Sequence, residues 1–417
     1  LFRTIWRVKK LPTDYFDKAR MMDDEKQEKI AKLILRVAVS AYLSGDLMLS
    51  VLCTCKLVET SLQHGVNELS ATSLSGLATF AVVVQQDFKT ATKFNEMALS
   101  LVYKHRRMHN GETMFTVYSN CHIWVKPVNH CLPAMWDAYQ FSIRSGDSEF
   151  ASWNLFVHQI LLSFYFGKPL QQILARCPAV MRQFEEAAQS QQIVIHKIIW
   201  QTMVNLHDSS CREPQKLEGE IFSETESTEK DNIHDATVLL ARGELLLFHG
   251  DYSTAADMAL ERGDIYQKMV PANFANIFEV FHRALALYAM ALRTSKKKYK
   301  KEAKRVRRML TKWVVAIENP DFNYFKTVLD AEQFAVEKKY EEADRQYDEA
   351  IKLATSRGHL NHAGLFRERY AEYILRERSN RRKSNEQLKE AIDFYKQWGA
   401  DGKVKDLESK LAVLSLQ

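Results

Sequence analysis

The chain has 417 residues, 46% of them apolar and 11% aromatic, with a net charge of +6. That much buriable material excludes disorder for the bulk, and so small a surplus of charge does not by itself call for nucleic acid or a membrane surface. Only 14 Gly and 8 Pro are present, well under the roughly 7% and 5% of average usage, which is too few for a turn-rich all-β protein or a doubly wound sheet.

The chain opens on Leu1 and enters mixed sequence at once. It is expected to be a segment of a longer protein, with 1–28 as a linker or partial helix. From 29 to 207, a first helical-repeat half, apolar residues recur at helical spacing. Short polar turns break them into hairpins at Ser44-Gly45-Asp46, Gln85-Gln86-Asp87 and Ser145-Gly146-Asp147. Glycine in such a turn accepts the left-handed conformation that ends a helix, and the following Asp can cap the next. Cys53 and Cys55 stand mid-helix at i, i+2 and diverge, so no redox pair is expected. Cys121-His122 and His130-Cys131 carry metal-ligand atoms. Zinc needs four ligands on a tetrahedron, whereas adjacent helical residues point about 100° apart; hairpin packing is expected there, and no metal. With Cys177 and Cys211 the six cysteines show no framework spacing, and read as reduced thiols of a cytoplasmic protein. The best candidate for a membrane helix, Leu155 to Phe166, is twelve residues long and contains His158 and Gln159. A spanning helix needs about 18, so no membrane partner is expected.

Between 208 and 235 the acids Asp208, Glu213, Glu218, Glu220, Glu224, Glu226, Glu229, Asp231 and Asp235 outnumber Arg212, Lys216 and Lys230. A mobile acidic loop between two superhelical halves is expected, with docking or phosphorylation at Ser223, Thr225, Ser227 or Thr228 as the sharper alternative. The second helical-repeat half, 236–417, has turns at His249-Gly250-Asp251 and Glu337-Lys338-Lys339. Small residues follow the turns: Ala303 and Ala343 are 40 apart, Ser50 and Ala91 are 41 apart. Such a loose period marks stacked helix pairs. Ala331, Phe334, Ala343, Tyr347 and Ala350 fall at the small and aromatic positions of a tetratricopeptide repeat. The fold class is therefore all-α, a tetratricopeptide-like right-handed superhelix of antiparallel helix pairs.

Lys296, Lys297, Lys298, Lys300, Lys301, Lys304, Arg305, Arg307 and Arg308 carry nine positive charges against Glu302 alone. They are the candidate partner-binding residues. A solvated helix face competes, because Tyr299, Ala303, Val306 and Leu310 form an apolar stripe and no aromatics interleave for stacking on bases. Catalytic signatures are missing. Gly167-Lys168-Pro169 and Gly402-Lys403-Val404 lack the glycine spacing and hydroxyl of a phosphate loop, and no kinase loop, G-x-S-x-G or H-E-x-x-H occurs. No enzyme activity and no cofactor are expected. The thirteen histidines are scattered, with surface or interhelical polar contacts expected of most.

The last hundred residues carry a family likeness. Asn319-Pro320-Asp321-Phe322-Asn323, Tyr347-Asp348-Glu349-Ala350-Ile351 and the close Tyr395-Lys396-Gln397-Trp398-Gly399-Ala400 with Lys403-Val404 resemble the helical repeat region of large multidomain signalling proteins. Those carry an AAA-like ATPase ahead of the repeats, and a sensor domain (often GAF) with a histidine kinase or nucleotide cyclase behind. Gly364 and Leu365 depart from the usual Ala-Leu pair, and Gly402 from a small Ala; neither is expected to alter packing much. The resemblance implies a regulatory spacer between ATPase and output domain, touching neighbouring domains of its own chain and a protein or peptide partner on a long concave surface. A stand-alone adaptor and a nucleic-acid-associated repeat protein are the rival readings, the latter disfavoured. At the close, Ala391, Phe394, Tyr395 and Trp398 share a helix face, and 403–411 is expected to cap the array with Trp398 wedged beneath; an exposed contact for a following domain is the alternative.

Overall fold

The computed structural model describes residues 1–104, 110–224 and 231–416. Among them no strand forms, only two isolated bridges, Met21 with Val66 and Glu218 with Ser223. The chain is an all-α solenoid of tetratricopeptide-like helix pairs. α1 (Glu25–Leu43) pairs with α2 (Leu47–His64), α3 (Ser70–Phe80) with α4 (Phe88–Lys104), and α5 (Asn110–Val117) with α6 (Val128–Ser145). α7 (Ser148–Phe156) packs on α6 and continues through a π-helical turn, Val157–Leu161, into Leu162–Tyr165. α8 (Cys177–Glu186) packs on α9 (Ser190–His207). In the second half α10 (Asn232–Phe248) pairs with α11 (Tyr252–Arg262), α12 (Ala275–Thr294) with α13 (Lys297–Ile317), and α14 (Asn323–Val336) with α15 (Tyr340–Ser356). α16 (Leu360–Arg378) pairs with α17 (Arg381–Trp398), and α18 (Asp401–Leu416) follows.

The turn chemistry acts as the spacing requires. Asp46, Asp147 and Asp251 accept from the backbone N–H of Leu49, Phe150 and Thr254, which satisfies amide groups a helix start leaves unpaired. In the α14–α15 unit Ala331, Ala343, Tyr347 and Ala350 are fully buried and Phe334 is partly so. Small residues let the axes approach while the aromatics fill the space between pairs. Segment 1–28 carries two short helices, Phe2–Lys9 and Tyr15–Lys18, which bury Ile5, Val8 and Phe16. They hang on α4, whose Lys93 ammonium donates to the carbonyls of Lys9 and Leu11.

The acidic stretch 208–235 is not a mobile loop over its described part. Asn205 donates to the carbonyls of Pro214 and Lys216, and the Gln201 Oε1 accepts from the amides of Ile221 and Phe222. Gln191 donates to Asp231. Taken in order, these contacts step backwards along α9, so residues 208–224 run back along that helix from its C-terminus, and Asp231 stands at its N-terminus. Leu217 and Phe222 are its buried anchors. Asp231 then caps α10 through the His234 amide at 2.7 Å, so the stretch ends at 231 and α10 runs parallel to α9. Ser223 donates to Glu218, whereas Thr225, Ser227 and Thr228 lie outside the described residues.

The N-terminal ends of α12, α14 and α16 are covered by the first half. Phe164, Tyr165 and Phe166, at the end of the α7 continuation, insert there. The Tyr165 ring lies 4.7 Å from that of Phe278, and Phe166 lies 6.0 Å from Phe322 and 5.1 Å from His359. Asn361 donates to the Tyr165 carbonyl. One hydrophobic core runs from Ile5 to Leu407, so the two halves share it.

The two glycine departures matter after all. A Cβ on Gly364 would stand 2.9 Å from the Tyr395 ring, and one on Gly402 2.9 Å from the Asp208 carbonyl oxygen and 3.0 Å from that of Leu206. Gly402 thus lets the first turn of α18 abut the last carbonyls of α9, a helix start against a helix end, as their partial charges favour. Trp398 is fully buried, its ring 5.2 Å from Phe248 and stacked 6.3 Å from Phe164. It therefore joins the terminal repeat to the first half as well as supporting the close. Trp398→Ala is expected to cost about 3–5 kcal/mol in denaturant unfolding, and to quicken amide exchange in Leu162–Tyr165 and α10 as well as in α17. Quickening confined to α17 and α18 would mean the ring serves the terminal repeat alone.

Candidate functional site

The nine basic residues of α13 divide into two groups. Lys304 pairs with Glu337 at 2.6 Å, Arg305 with Asp264 at 2.8 Å, Arg307 with Asp330 at 2.6 Å and Lys298 with Asp257 at 3.4 Å. Those four tie α13 to its neighbours. Lys296, Lys297, Lys300, Lys301 and Arg308 have no ion-pair partner among the described residues, while Tyr299, Ala303, Val306 and Leu310 are buried beneath them. The cysteine–histidine pairs face different surroundings. The Cys121 sulfur is 3.9 Å from the Thr79 hydroxyl and burial pushes its thiol up to about 11. His122 meets Tyr118 edge-on at 5.1 Å, and His130 is exposed. Several histidines are core residues rather than surface contacts: His359 and His362 both reach the Tyr324 hydroxyl, at 3.0 and 3.3 Å, and burial holds both well below the usual imidazole range.

The sequence reading missed a groove in the first half. α1, α2, α3, α5 and α7 surround a cavity of about 230 Å³. On α5 the residues Glu112, Phe115 and Thr116 share a face at i, i+3, i+4; on α7 Glu149, Phe150 and Trp153 sit at i, i+1, i+4. The Phe115 ring lies 5.7 Å from Phe150 and 6.1 Å from Trp153, forming one aromatic wall. Leu35 and Val39 of α1 line the groove as well, and Gln191 and Ile233 bring the first turns of α9 and α10 to it. At one end Glu112 and Glu149 also line a wider hollow that includes Lys32, Arg36 and Asp147. Glu112 is only 9% exposed, and neither it nor Glu149 has a hydrogen-bond or ion-pair partner among the described residues. Burial first, then the charges of Asp147 and Glu149, push the Glu112 carboxyl up to about 8. Burial and Asp147 raise Glu149 too, with Arg36 opposing. Acid–aromatic pairs on two helices were readable in the sequence, but nothing local says that α5 and α7 face one hollow.

Such an arrangement can hold a side chain with an apolar body and a polar tip. No group of three or more metal-ligating side chains forms among the described residues, and no helix is long and apolar enough to cross a membrane.

The family model described as Soluble NSF attachment protein, SNAP, matches residues 319–417, the part of the chain that holds α14 to α18. No curated protein matches the chain. Among solved structures, the apo form of the quorum sensor NprR from B. thuringiensis is similar at 15% identity and a TM-score of 0.39, over 88% of this chain and 99% of that one. A circular tandem repeat protein with novel repeat topology gives 14% identity and a TM-score of 0.20, over 94% and 95%.

Glu112 makes stability pH-dependent. Its folded value of about 8 exceeds the ordinary 4.5, so between these pH values the folded chain holds a proton the unfolded chain has lost. Stability therefore falls as pH rises through this window, by on the order of a few kcal/mol for this residue. Glu244, buried and likewise raised to about 8, adds a slope of the same sign. The difference between wild type and Glu112→Gln isolates the groove: in melts from pH 5 to 9 the variant is expected to lose less stability. Parallel curves would place Glu112 in a solvated setting.

Proposed function

We propose that the chain is a non-catalytic helical-repeat scaffold that receives a protein or peptide segment in the α1–α7 groove. The observation that carries this is the asymmetry of the two halves. Phe164, Tyr165 and Phe166 cover the N-terminal ends of α12, α14 and α16, whereas the first half keeps an aromatic-walled groove open. In the finer reading the scaffold couples neighbouring domains of a larger cytoplasmic signalling protein, an ATPase ahead and a sensor with kinase or cyclase output behind. Lys296, Lys297, Lys300, Lys301 and Arg308 then serve as a contact for an acidic surface of a neighbour. The nucleic-acid reading is weakened because Lys298, Lys304, Arg305 and Arg307 spend their charge within the chain. A stand-alone adaptor would use the same groove.

A mixture of random heptapeptides at high concentration is expected to raise the melting temperature by a few degrees, through preferential binding to the folded state. Phe150→Ala with Trp153→Ala is expected to abolish the rise; an undiminished rise would place binding elsewhere. Incubated with ATP, the chain is expected to release no phosphate, and turnover lost on substituting one of its residues would overturn the non-catalytic reading.

A further inference from the structure

We infer that the groove recognises a lysine side chain of its partner segment, with the alkyl stem along Phe115, Phe150 and Trp153 and the ammonium between Glu112 and Glu149. This rests on the groove being the partner site. Three independent observations support it. The wall is aromatic, its rings 5.7 and 6.1 Å apart, and ring faces attract organic cations. At one end of the groove stands Glu112, a residue nine-tenths buried whose carboxyl has no partner among the described residues. The charge around that end is predominantly acidic: Glu68, Asp147 and Glu149 accompany Glu112, while of the two cations Lys32 is held by Glu28 and Glu68, at 3.3 and 2.7 Å. Arg36 alone stands within electrostatic reach of Glu149.

The shape of the site decides which cation. The groove is apolar along its rings and acidic where it meets the wider hollow, so a group lying along it is apolar along its length and charged at its tip. A lysine fits, because its methylene stem asks for no hydrogen bonds. A peptide's free amino terminus does not, since its first carbonyl and amide would enter the same apolar stretch unpaired. An arriving ammonium also changes the protonation of the site. Glu112 keeps its proton in the empty groove near neutral pH and gives it up to form the pair, so binding releases a proton.

Three amidated heptapeptide libraries test this on the whole chain: an acetylated one with random flanks around a fixed central lysine, the same with norleucine, and the norleucine library with its amino terminus left free. The lysine library is expected to be retained about tenfold better than norleucine, roughly the 1.4 kcal/mol of a modest desolvated ion pair. Glu112→Gln is expected to erase that preference while still retaining norleucine peptides. Calorimetry at pH 7 in two buffers of different ionisation enthalpy is expected to show proton release for lysine peptides, absent in Glu112→Gln. Equal retention of lysine and norleucine peptides, or retention only with a free amino terminus, overturns the lysine assignment and leaves the groove reading in place. Retention of none by wild type overturns both.

Discussion

The insertion of Phe164, Tyr165 and Phe166 into the second half is the contact on which the rest of the molecule depends. It brings Tyr165 within 4.7 Å of Phe278, and Phe164 into a stack with Trp398, more than two hundred positions away in sequence. Aromatic side chains of this size contribute the largest apolar areas a chain can bury. Their insertion merges two stacks of helix pairs into one core. It also covers the N-terminal ends of α12, α14 and α16 from within, while the groove beside α5 and α7 stays open.

Charge inside the second half works on register more than on net stability. Arg369 is fully buried and donates to both oxygens of Glu332, at 2.8 and 3.0 Å. Arg293 and Arg369 also flank the Tyr252 ring, 4.6 and 4.8 Å from its centre. Against the cost of burial, Arg369 and Arg293 hold the Glu372 carboxyl down to about 2. A buried pair gains little over a well-packed apolar substitute, yet losing one partner costs about 3–5 kcal/mol. The network therefore penalises any order of α11, α12, α14 and α16 that separates its members. An array of similar repeats needs such a constraint, because apolar stripes at the same spacing can slip past one another.

Helix pairing was legible wherever the code is local. Asp46, Asp147 and Asp251 cap as their positions beside turn glycines require, and Ala331, Ala343, Tyr347 and Ala350 are buried as their spacing demands. The groove was not legible, because Glu112 and Glu149 meet only through the packing of α5 and α7. The acidic stretch misled for a related reason. Its composition reads as solvated chain, but two buried residues, Leu217 and Phe222, and the amides of Gln201 and Asn205 suffice to lay it along α9. Gly402 looked like a neutral exchange for Ala because the carbonyl oxygens it must clear belong to residues nearly two hundred positions earlier.

The parallel course of α9 and α10 gives the molecule a connection between its ends. Each helix starts at the groove, through Gln191 and Ile233, and finishes against the C-terminal turn and helix. The His207 Nδ1 lies 2.6 Å from the Gly399 carbonyl and the His249 Nδ1 2.8 Å from Asp406. α9 has 18 residues, a rod of about 27 Å. Over that length a helix transmits a displacement rather than absorbing it. The seat that receives it has little slack: Lys403 is fully buried with its ammonium 2.8 Å from Glu368, and Gly402 lies against the backbone of α9. Withdrawing a buried ammonium from its carboxylate is costly, so Lys403 and Glu368 hold α18 in one register against α16. The first turns at the groove and the seat of α18 are thus joined by two helices, α9 and α10, packed side by side.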